Sequence, residues 1–373
     1  MPRSKLFATI ITEVLKPATR NNTVLIRPSA ETLMTQCALK VRLLSTVIAF
    51  LLGLAAAAGA QTSQEPKAGT DVLIWQDPGN IRSLNLFWGP GGEKHQPQPP
   101  FTFVEEDMHG TSPKFDVRDS NDKKWKAKLG LEVKPETAAS RLLWAVGYGA
   151  NENYFFSQIQ VTNMPTPLRR GQNLAGHGGL VPNVRLQRHP EGKKRIGDWN
   201  WRHNPFYGTR EFNGLRVMMG LIANWDLKDD NNGIFEDEKR GGPKLYQVSD
   251  VGTSFGTAGK RYSDKQSKGN LPAFARTKLI AHIHKKYIDL NFPKKPPLSS
   301  LFELDWIFYS RQTRMLWIGR HIPRADAKWI GALLAQLSPD QIRDAFRAAG
   351  YSPQEIEVCT QAMISRIQEL NSL

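Results

Sequence analysis

The stretch that decides the fold is Asn224-Trp225-Asp226-Leu227-Lys228-Asp229-Asp230-Asn231. It directly follows a segment whose apolar residues recur at helical spacing, which predicts an amphipathic helix; these residues are Phe212, Leu215, Met218, Met219 and Ile222. A carboxylate, a lysine and an amide are therefore expected directly after the C-terminal end of one helix. Phosphoryl transfer needs such groups, because a carboxylate must accept the proton of the nucleophile and an amide or carboxylate pair must hold a divalent metal.

Two further segments, one on each side of this loop, carry the remaining groups of the same chemistry. Lys126-Ala127-Lys128-Leu129-Gly130 alternates like a β-strand, and Glu136 follows Lys128 by eight residues in a predicted helix. A strand lysine that a helix carboxylate orients is suited to holding nucleotide phosphates. Lys126 lies on the same strand face as Lys128, so either lysine fits this role. Asp250-Val251-Gly252 follows a short apolar strand and offers a second metal-binding carboxylate.

The loop at 224–231 resembles the protein-kinase catalytic loop H-R-D-L-K-x-x-N. The Asp, Leu, Lys and Asn match at identical spacing, whereas Asn224 and Trp225 stand in place of the His-Arg pair. Asp250-Val251-Gly252 resembles D-F-G, with Val in place of Phe. The resemblance therefore identifies the chain as similar to atypical members of the kinase-like superfamily.

The spacing around these motifs is also similar to that of phosphoinositide-3/4-kinase-like proteins. There a strand Lys-x-Gly precedes an acidic residue by the interval seen between Lys128 and Glu136, and a glycine follows the metal-binding aspartate as Gly256 follows Asp250. Secretory-pathway kinases and HipA-like kinases are other relatives that the pattern resembles. The resemblance covers residues 101–260.

The resemblance implies an α+β protein with a bilobal kinase-like fold: a β-rich N-lobe, a helical C-lobe and extra C-terminal helices. It also implies a role for each site residue. Asp226 is the catalytic base, Lys228 neutralises the transferred phosphoryl group, Lys128 and Glu136 bind the nucleotide, and Asn231 and Asp250 bind Mg²⁺ or Mn²⁺. ATP or another nucleotide is the implied donor, and the acceptor stays open among protein, glycan and lipid. A nucleotidyl transferase on the same fold is the related alternative.

Residues 43–58 form the one long apolar run, and it is shorter than the roughly 20 residues of a membrane span. Lys40 and Arg42 precede it and Ala58-Gly59-Ala60 follows it, which is the pattern of a secretory signal peptide. We therefore expect translation to start at Met34 and cleavage to follow Ala60. The mature protein is expected to be periplasmic or secreted, without a stable membrane span.

The chain is predicted to divide at changes in pattern. The expected parts are an upstream extension with the signal peptide (1–60), a leader and loop (61–100), the N-lobe (101–162), an insertion or loop region with one candidate strand at 180–186 (163–208), and the helical C-lobe (209–373). Within the last part, residues 273–284 are predicted to be helical. Ser338-Pro339-Asp340-Gln341 and Ser352-Pro353-Gln354-Glu355 are capping boxes that predict two helix starts.

Composition excludes some functions and leaves others open. Two cysteines exclude a disulfide scaffold and a cysteine-rich zinc module. A net charge of +15 predicts an anionic partner, without specific nucleic-acid recognition. Because ATP is scarce outside the bacterial inner membrane, a secreted pseudokinase or binding module is an alternative to the enzyme. A calcium-stabilised module is a third hypothesis, although Lys228 and Lys239 occupy the loop positions at which an EF-hand needs Asp and Glu.

Overall fold

The computed structural model describes residues 71–110, 112–238, 242–256, 269–292 and 316–373. The chain divides into the units Met1–Glu65 and Pro66–Leu373, and all the described residues belong to the second. The predicted signal peptide, the expected start at Met34 and the leader before residue 71 lie outside them. Within the described ranges, no helix has the length and apolar character needed to cross a membrane.

Strands and helices alternate through the described chain. The strands are β1 Val72–Leu73, β2 Phe101–Asp107, β3 Lys114–Arg118, β4 Lys124–Lys128, β5 Glu152–Thr162, β6 Leu180–Arg188, β7 Lys193–Gly197, β8 Asn232–Asp237, β9 Lys244–Val248, β10 Ile280–Ile283, β11 Tyr287–Leu290 and β12 Ile322–Pro323. The α-helices are α1 Val133–Ala145, α2 Arg210–Leu221, α3 Leu271–Arg276, α4 Arg324–Leu334, α5 Pro339–Arg347 and α6 Pro353–Asn371. This content confirms the predicted α+β class.

The first large element is a closed barrel with the strand order β2-β3-β4-β6-β5. Along each strand, side chains that face the barrel core alternate with side chains that face outward, because successive side chains of a strand point to opposite faces. In β4, Trp125 and Ala127 are buried in the barrel core, while the three lysines at 124, 126 and 128 share the other face. Helix α1 contacts β5 and β6 on the outside of the barrel and also contacts α5.

The second sheet has the order β1-β9-β8-β7 and brings distant parts of the site together. Strands β8 and β9 are antiparallel, and Asn232 lies opposite Val248. Because the register is fixed at this pair, Asn231 before β8 and Ser249 after β9 lie at the same end of the hairpin. Helix α2 packs into the larger hydrophobic core, and its buried side chains include the predicted Phe212, Leu215, Met218 and Met219.

The C-terminal helices begin where the capping boxes predict. The Ser338 side chain accepts a hydrogen bond from the Gln341 amide while the Gln341 side chain accepts one from the Ser338 amide. Ser352 and Glu355 form the same reciprocal pair at the start of α6. Both predictions are confirmed because each box satisfies backbone donors that the first helical turn leaves free.

Three regions differ from their predicted structure. The region 163–208 is expected to be insertion or loop with one strand at 180–186; that strand is present as β6, which completes the barrel, whereas β7, which joins the second sheet, was not predicted. The region 209–373 contains strands β8 to β12 as well as helices. The predicted helix at 273–284 ends at Arg276, and the chain then forms β10, which pairs with β11. Sheet pairing, together with hydrogen bonds from the amides of Leu279 and Ile280 to Glu369, outweighs the local helical pattern.

Candidate active site

A cleft of about 830 Å³ lies between the barrel and the β8–β9 hairpin. Eight lysine or arginine side chains and five aspartate or glutamate side chains line it. The cleft is therefore net positive, which favours an anionic ligand. Of the residues predicted from the sequence, Lys128, Glu136, Lys228, Asn231 and Asp250 line this cleft.

Lys128 lies at the floor of the cleft, at the end of β4, and is buried. Its Nζ lies 3.0 Å from Glu136 Oε2, 2.6 Å from Glu132 Oε2 and 3.5 Å from Asp250 Oδ1. Burial lowers the pKa of Lys128, but the charges of Glu136, Asp250 and Glu132 outweigh it, and the pKa lies above its usual range. Lys128 is therefore a fixed cation that joins the barrel, helix α1 and the Asp250 segment.

The structure distinguishes Lys126 from Lys128, both of which fit the sequence pattern of the predicted phosphate-binding lysine. Lys126 Nζ forms ion pairs with Asp107 and, at 3.4 Å, with Asp116, nearer the mouth of the cleft, and its side chain is 39% exposed. Lys128 instead forms ion pairs with Glu132 and Glu136 at the start of α1. Lys128 is thus the lysine that has the helix carboxylate as its partner.

Arg185 is a site residue that the sequence reasoning missed. It is buried on β6, opposite Lys128 in the strand register, and its guanidinium forms an ion pair with Glu136 Oε1. Each of the two Glu136 carboxylate oxygens therefore forms an ion pair with a cation. The available signal was a single charged residue between Val184 and Leu186, in the middle of an apolar strand.

Asp226 lies beside the cleft, beneath Lys228. Its side chain is 19% exposed, and its Oδ2 accepts a hydrogen bond of 2.9 Å from Lys228 Nζ. The Asn231 side chain donates a hydrogen bond of 2.6 Å to the Asp226 carbonyl and so closes the loop. Asp226 Oδ1 is buried and has no hydrogen-bond partner among the described residues. An unpaired buried carboxylate oxygen is costly unless a ligand or water satisfies it.

Asn231 and Asp250 are brought together by the β8–β9 pairing. The Asn231 carbonyl accepts hydrogen bonds from the amides of Ser249, at 2.7 Å, and Asp250, at 3.2 Å. Asp250 Oδ1 in turn accepts from the Gly252 amide at 3.1 Å, and the Asp250 side chain is 43% exposed. The two predicted metal ligands thus share one wall of the cleft.

The donor set at this wall fits a hard cation only in part. Both side chains offer oxygen atoms, which Mg²⁺ and Mn²⁺ prefer. Within the described ranges, no group of three or more His, Cys, Asp or Glu side chains has the arrangement of a metal site. Asn231 and Asp250 therefore fit a cation that takes its other ligands from phosphate and water.

Asn224 stands at the position of the histidine in the His-Arg pair and makes a buried hydrogen bond of its own. It is fully buried, and its Oδ1 accepts a hydrogen bond from the Thr253 hydroxyl. The Asp226 amide lies 3.3 Å from the same hydroxyl, to which it donates. The loop at 224–231 is thus tied directly to the segment after Asp250, and no pattern in the sequence indicated the Thr253 contact.

Gly252 allows the Asp250 segment to approach α1, and its replacement by alanine tests this packing. A Cβ at this position would lie 2.7 Å from Glu132 Cβ and 3.1 Å from Glu136 Oε2. We expect Gly252→Ala to lower the free energy of unfolding by about 1–3 kcal/mol, as overpacking does. Chemical denaturation measures the change. Gly197→Ala, where a Cβ meets nothing within 4 Å, is the control, and an equal effect in both variants would contradict the argument.

Comparison with solved structures gives distant likenesses, among them two kinases. The proinflammatory kinase CtkA of Helicobacter pylori is 12% identical, with a TM-score of 0.31, over 70% of this chain and 96% of that chain. A Golgi casein kinase is 13% identical, with a TM-score of 0.28, over 78% of each chain. No protein-family model and no curated protein sequence matches the chain. At these identities and TM-scores, neither likeness supports a function for this chain.

Proposed function

We propose that the protein is a phosphotransferase with a bilobal kinase-like fold, which transfers a phosphoryl group from a nucleotide to an acceptor hydroxyl. The observation that carries the proposal is the contact of Lys128 with both Glu136, at 3.0 Å, and Asp250, at 3.5 Å, in a net positive cleft. These three groups come from three separate segments, and phosphoryl transfer is the chemistry that needs them together.

In the proposed reaction, Lys128 holds the nucleotide phosphates and Glu136 keeps its side chain in place. Asn231 and Asp250 hold Mg²⁺ or Mn²⁺, which supplies positive charge against the phosphate oxygens when bound. Lys228 turns from Asp226 toward the transferred phosphoryl group, whose charge it neutralises. The Asp226 carboxylate, once released, accepts the proton of the acceptor hydroxyl while the hydroxyl oxygen bonds to the terminal phosphorus. The bond from that phosphorus to the bridging oxygen of the nucleotide breaks, and the nucleotide leaves one phosphate shorter, with the electron pair on that oxygen.

We also propose that the mature protein acts in the periplasm or outside the cell, from the signal-peptide pattern at 43–60. The acceptor is a protein, glycan or lipid hydroxyl. The net charge of the chain favours an acceptor or donor that carries negative charge.

A second candidate function is a pseudokinase or binding module that holds an anionic ligand without transfer. It is favoured by Asn224 and Trp225 at the positions of the His-Arg pair and by Asp226, whose carboxylate is covered by Lys228. In this case the cleft binds nucleotide, and no phosphoryl group leaves it.

Thermal unfolding with and without ligands tests the proposal. We expect ATP with Mn²⁺ to raise the Tm more than ATP or Mn²⁺ alone, because a ligand that binds the folded state stabilises it. A labelled-phosphate assay on mixed acceptors then separates enzyme from binding module. If no nucleotide raises the Tm with any divalent metal, the phosphotransferase proposal is wrong. Stabilisation by Ca²⁺ alone would instead favour the calcium-stabilised module.

A further inference from the structure

His189 is a residue of the cleft to which phosphoryl transfer gives no role. It follows the last residue of β6 and lines the cleft, where the residue is partly exposed although protein atoms surround much of its ring. Its ring packs on Phe235 of β8, with 4.9 Å between the ring centroids. The imidazole is therefore held in place and still accessible to a ligand.

The neighbouring Asn151 has a defined amide orientation. Its Nδ2 lies 3.2 Å from the carbonyl oxygen of Ser249. A carbonyl oxygen only accepts hydrogen bonds, so the NH₂ end of the amide faces Ser249 and Oδ1 faces the other way. On that other side, Gln247 Nε2 donates to Asn151 Oδ1 at 2.8 Å.

This orientation fixes the tautomer of His189. The His189 Nδ1 atom lies 3.2 Å from Asn151 Oδ1, which has no proton to donate. Nδ1 must therefore carry the proton, and Nε2 of the neutral ring has a lone pair. Burial, together with the charges of Arg195 and Lys126, lowers the pKa of His189 to about 4, so the ring is neutral at neutral pH. Among the described residues, none forms a hydrogen bond with Nε2.

Strand β6 sets the backbone distance between His189 and Arg185, which lies opposite Lys128 in the strand register. His189 follows Arg185 by four residues. At the rise of a β-strand, that separation is roughly 13 Å. A ligand whose phosphates contact Lys128 can therefore extend along β6 until its other end meets His189.

We propose that His189 Nε2 accepts a hydrogen bond from the exocyclic amino group of a nucleotide base and so selects an amino-bearing base over one with a carbonyl group there. This inference rests on the proposed function, because it assumes that the ligand is a nucleotide. An oxo base would place its carbonyl oxygen against the lone pair of Nε2, and neither atom could donate. His189 is then a residue that determines specificity and takes no part in the transfer step.

Calorimetric titration with ATP and ITP, each with Mn²⁺, tests the proposal, because ITP carries a carbonyl in place of the amino group. We expect the wild type to bind ATP more tightly than ITP by about three- to tenfold, the usual effect of one hydrogen bond between neutral groups. His189→Ala and His189→Phe should lower the affinity for ATP and leave that for ITP unchanged. The phenylalanine variant keeps an aromatic ring against Phe235 and separates loss of the acceptor from loss of packing.

His109→Ala is the matched control, because His109 also lines the cleft, on the β2–β3 connection, and its side chain is almost fully exposed. It should leave the ratio of the two affinities unchanged. Equal affinity of the wild type for ATP and ITP, or an equal loss for both in His189→Phe, would overturn the role of His189 and leave the phosphotransferase proposal standing. Absence of binding of either nucleotide to the wild type would overturn both.

Discussion

Replacing Asp226 by asparagine is expected to lower the rate of phosphoryl transfer at least about 100-fold, the scale of a positioned general base. The affinity for nucleotide should change little, because the carboxylate acts on the acceptor and not on the bound phosphates. A group that works mainly in the transition state lowers kcat without lowering ground-state affinity. The variant should fold, since the side chain keeps its size and its main contact is one hydrogen bond with Lys228.

The labelled-phosphate assay measures transfer, and calorimetry with ATP and Mn²⁺ measures binding. Asp230→Asn is the matched control, because Asp230 lies on the same loop, lines the cleft and is exposed. It removes the same charge from the cleft and should leave transfer near the wild-type rate. If Asp226→Asn and the wild type transfer at the same measurable rate, Asp226 is not the base. If neither transfers while both bind nucleotide, the pseudokinase function is supported.

Replacing Asp250 by asparagine should remove most of the increase in nucleotide affinity that Mn²⁺ provides. The carboxylate is the charged member of the proposed metal pair, and an interaction with a charged group contributes about 1.5–3 kcal/mol. The expected loss of metal-dependent affinity is therefore about 10- to 100-fold. The variant also removes the ion pair of 3.5 Å with Lys128, but Lys128 keeps its ion pairs with Glu132 and Glu136, so the cleft should stay folded.

Calorimetric titration of ATP with and without Mn²⁺ measures this change. Affinity without metal should stay within a few-fold of the wild type, and only the difference that Mn²⁺ makes should fall. Asp230→Asn serves again as the control for the overall charge of the cleft. An unchanged response of Asp250→Asn to Mn²⁺ would show that the metal is held elsewhere, and the assignment of Asn231 and Asp250 would be wrong.

The residues of the candidate site could be predicted where residue types at short, fixed intervals indicate their chemistry. The order of Lys128, Glu136, Asp226, Asn231 and Asp250 follows from residue types at fixed intervals. Alternation in β4 put both lysines on one face, and the helical repeat placed Asp226 after α2. The capping boxes at Ser338 and Ser352 were equally local, since each satisfies its donors within one helical turn.

What the sequence determined by itself about this protein is therefore its α+β class, its capped C-terminal helices and the candidate chemistry of three segments. Which of the site residues contact one another was decided by how the strands pair. Antiparallel register between β8 and β9 placed Asn231 beside Asp250, and the closing strand β6 brought Arg185 to Glu136 and His189 to Asn151. The helix predicted at 273–284 gave way to β10 for the same reason. Contacts between residues far apart in the chain depend on how sheets and helices pack, and no local period of the sequence encodes that packing.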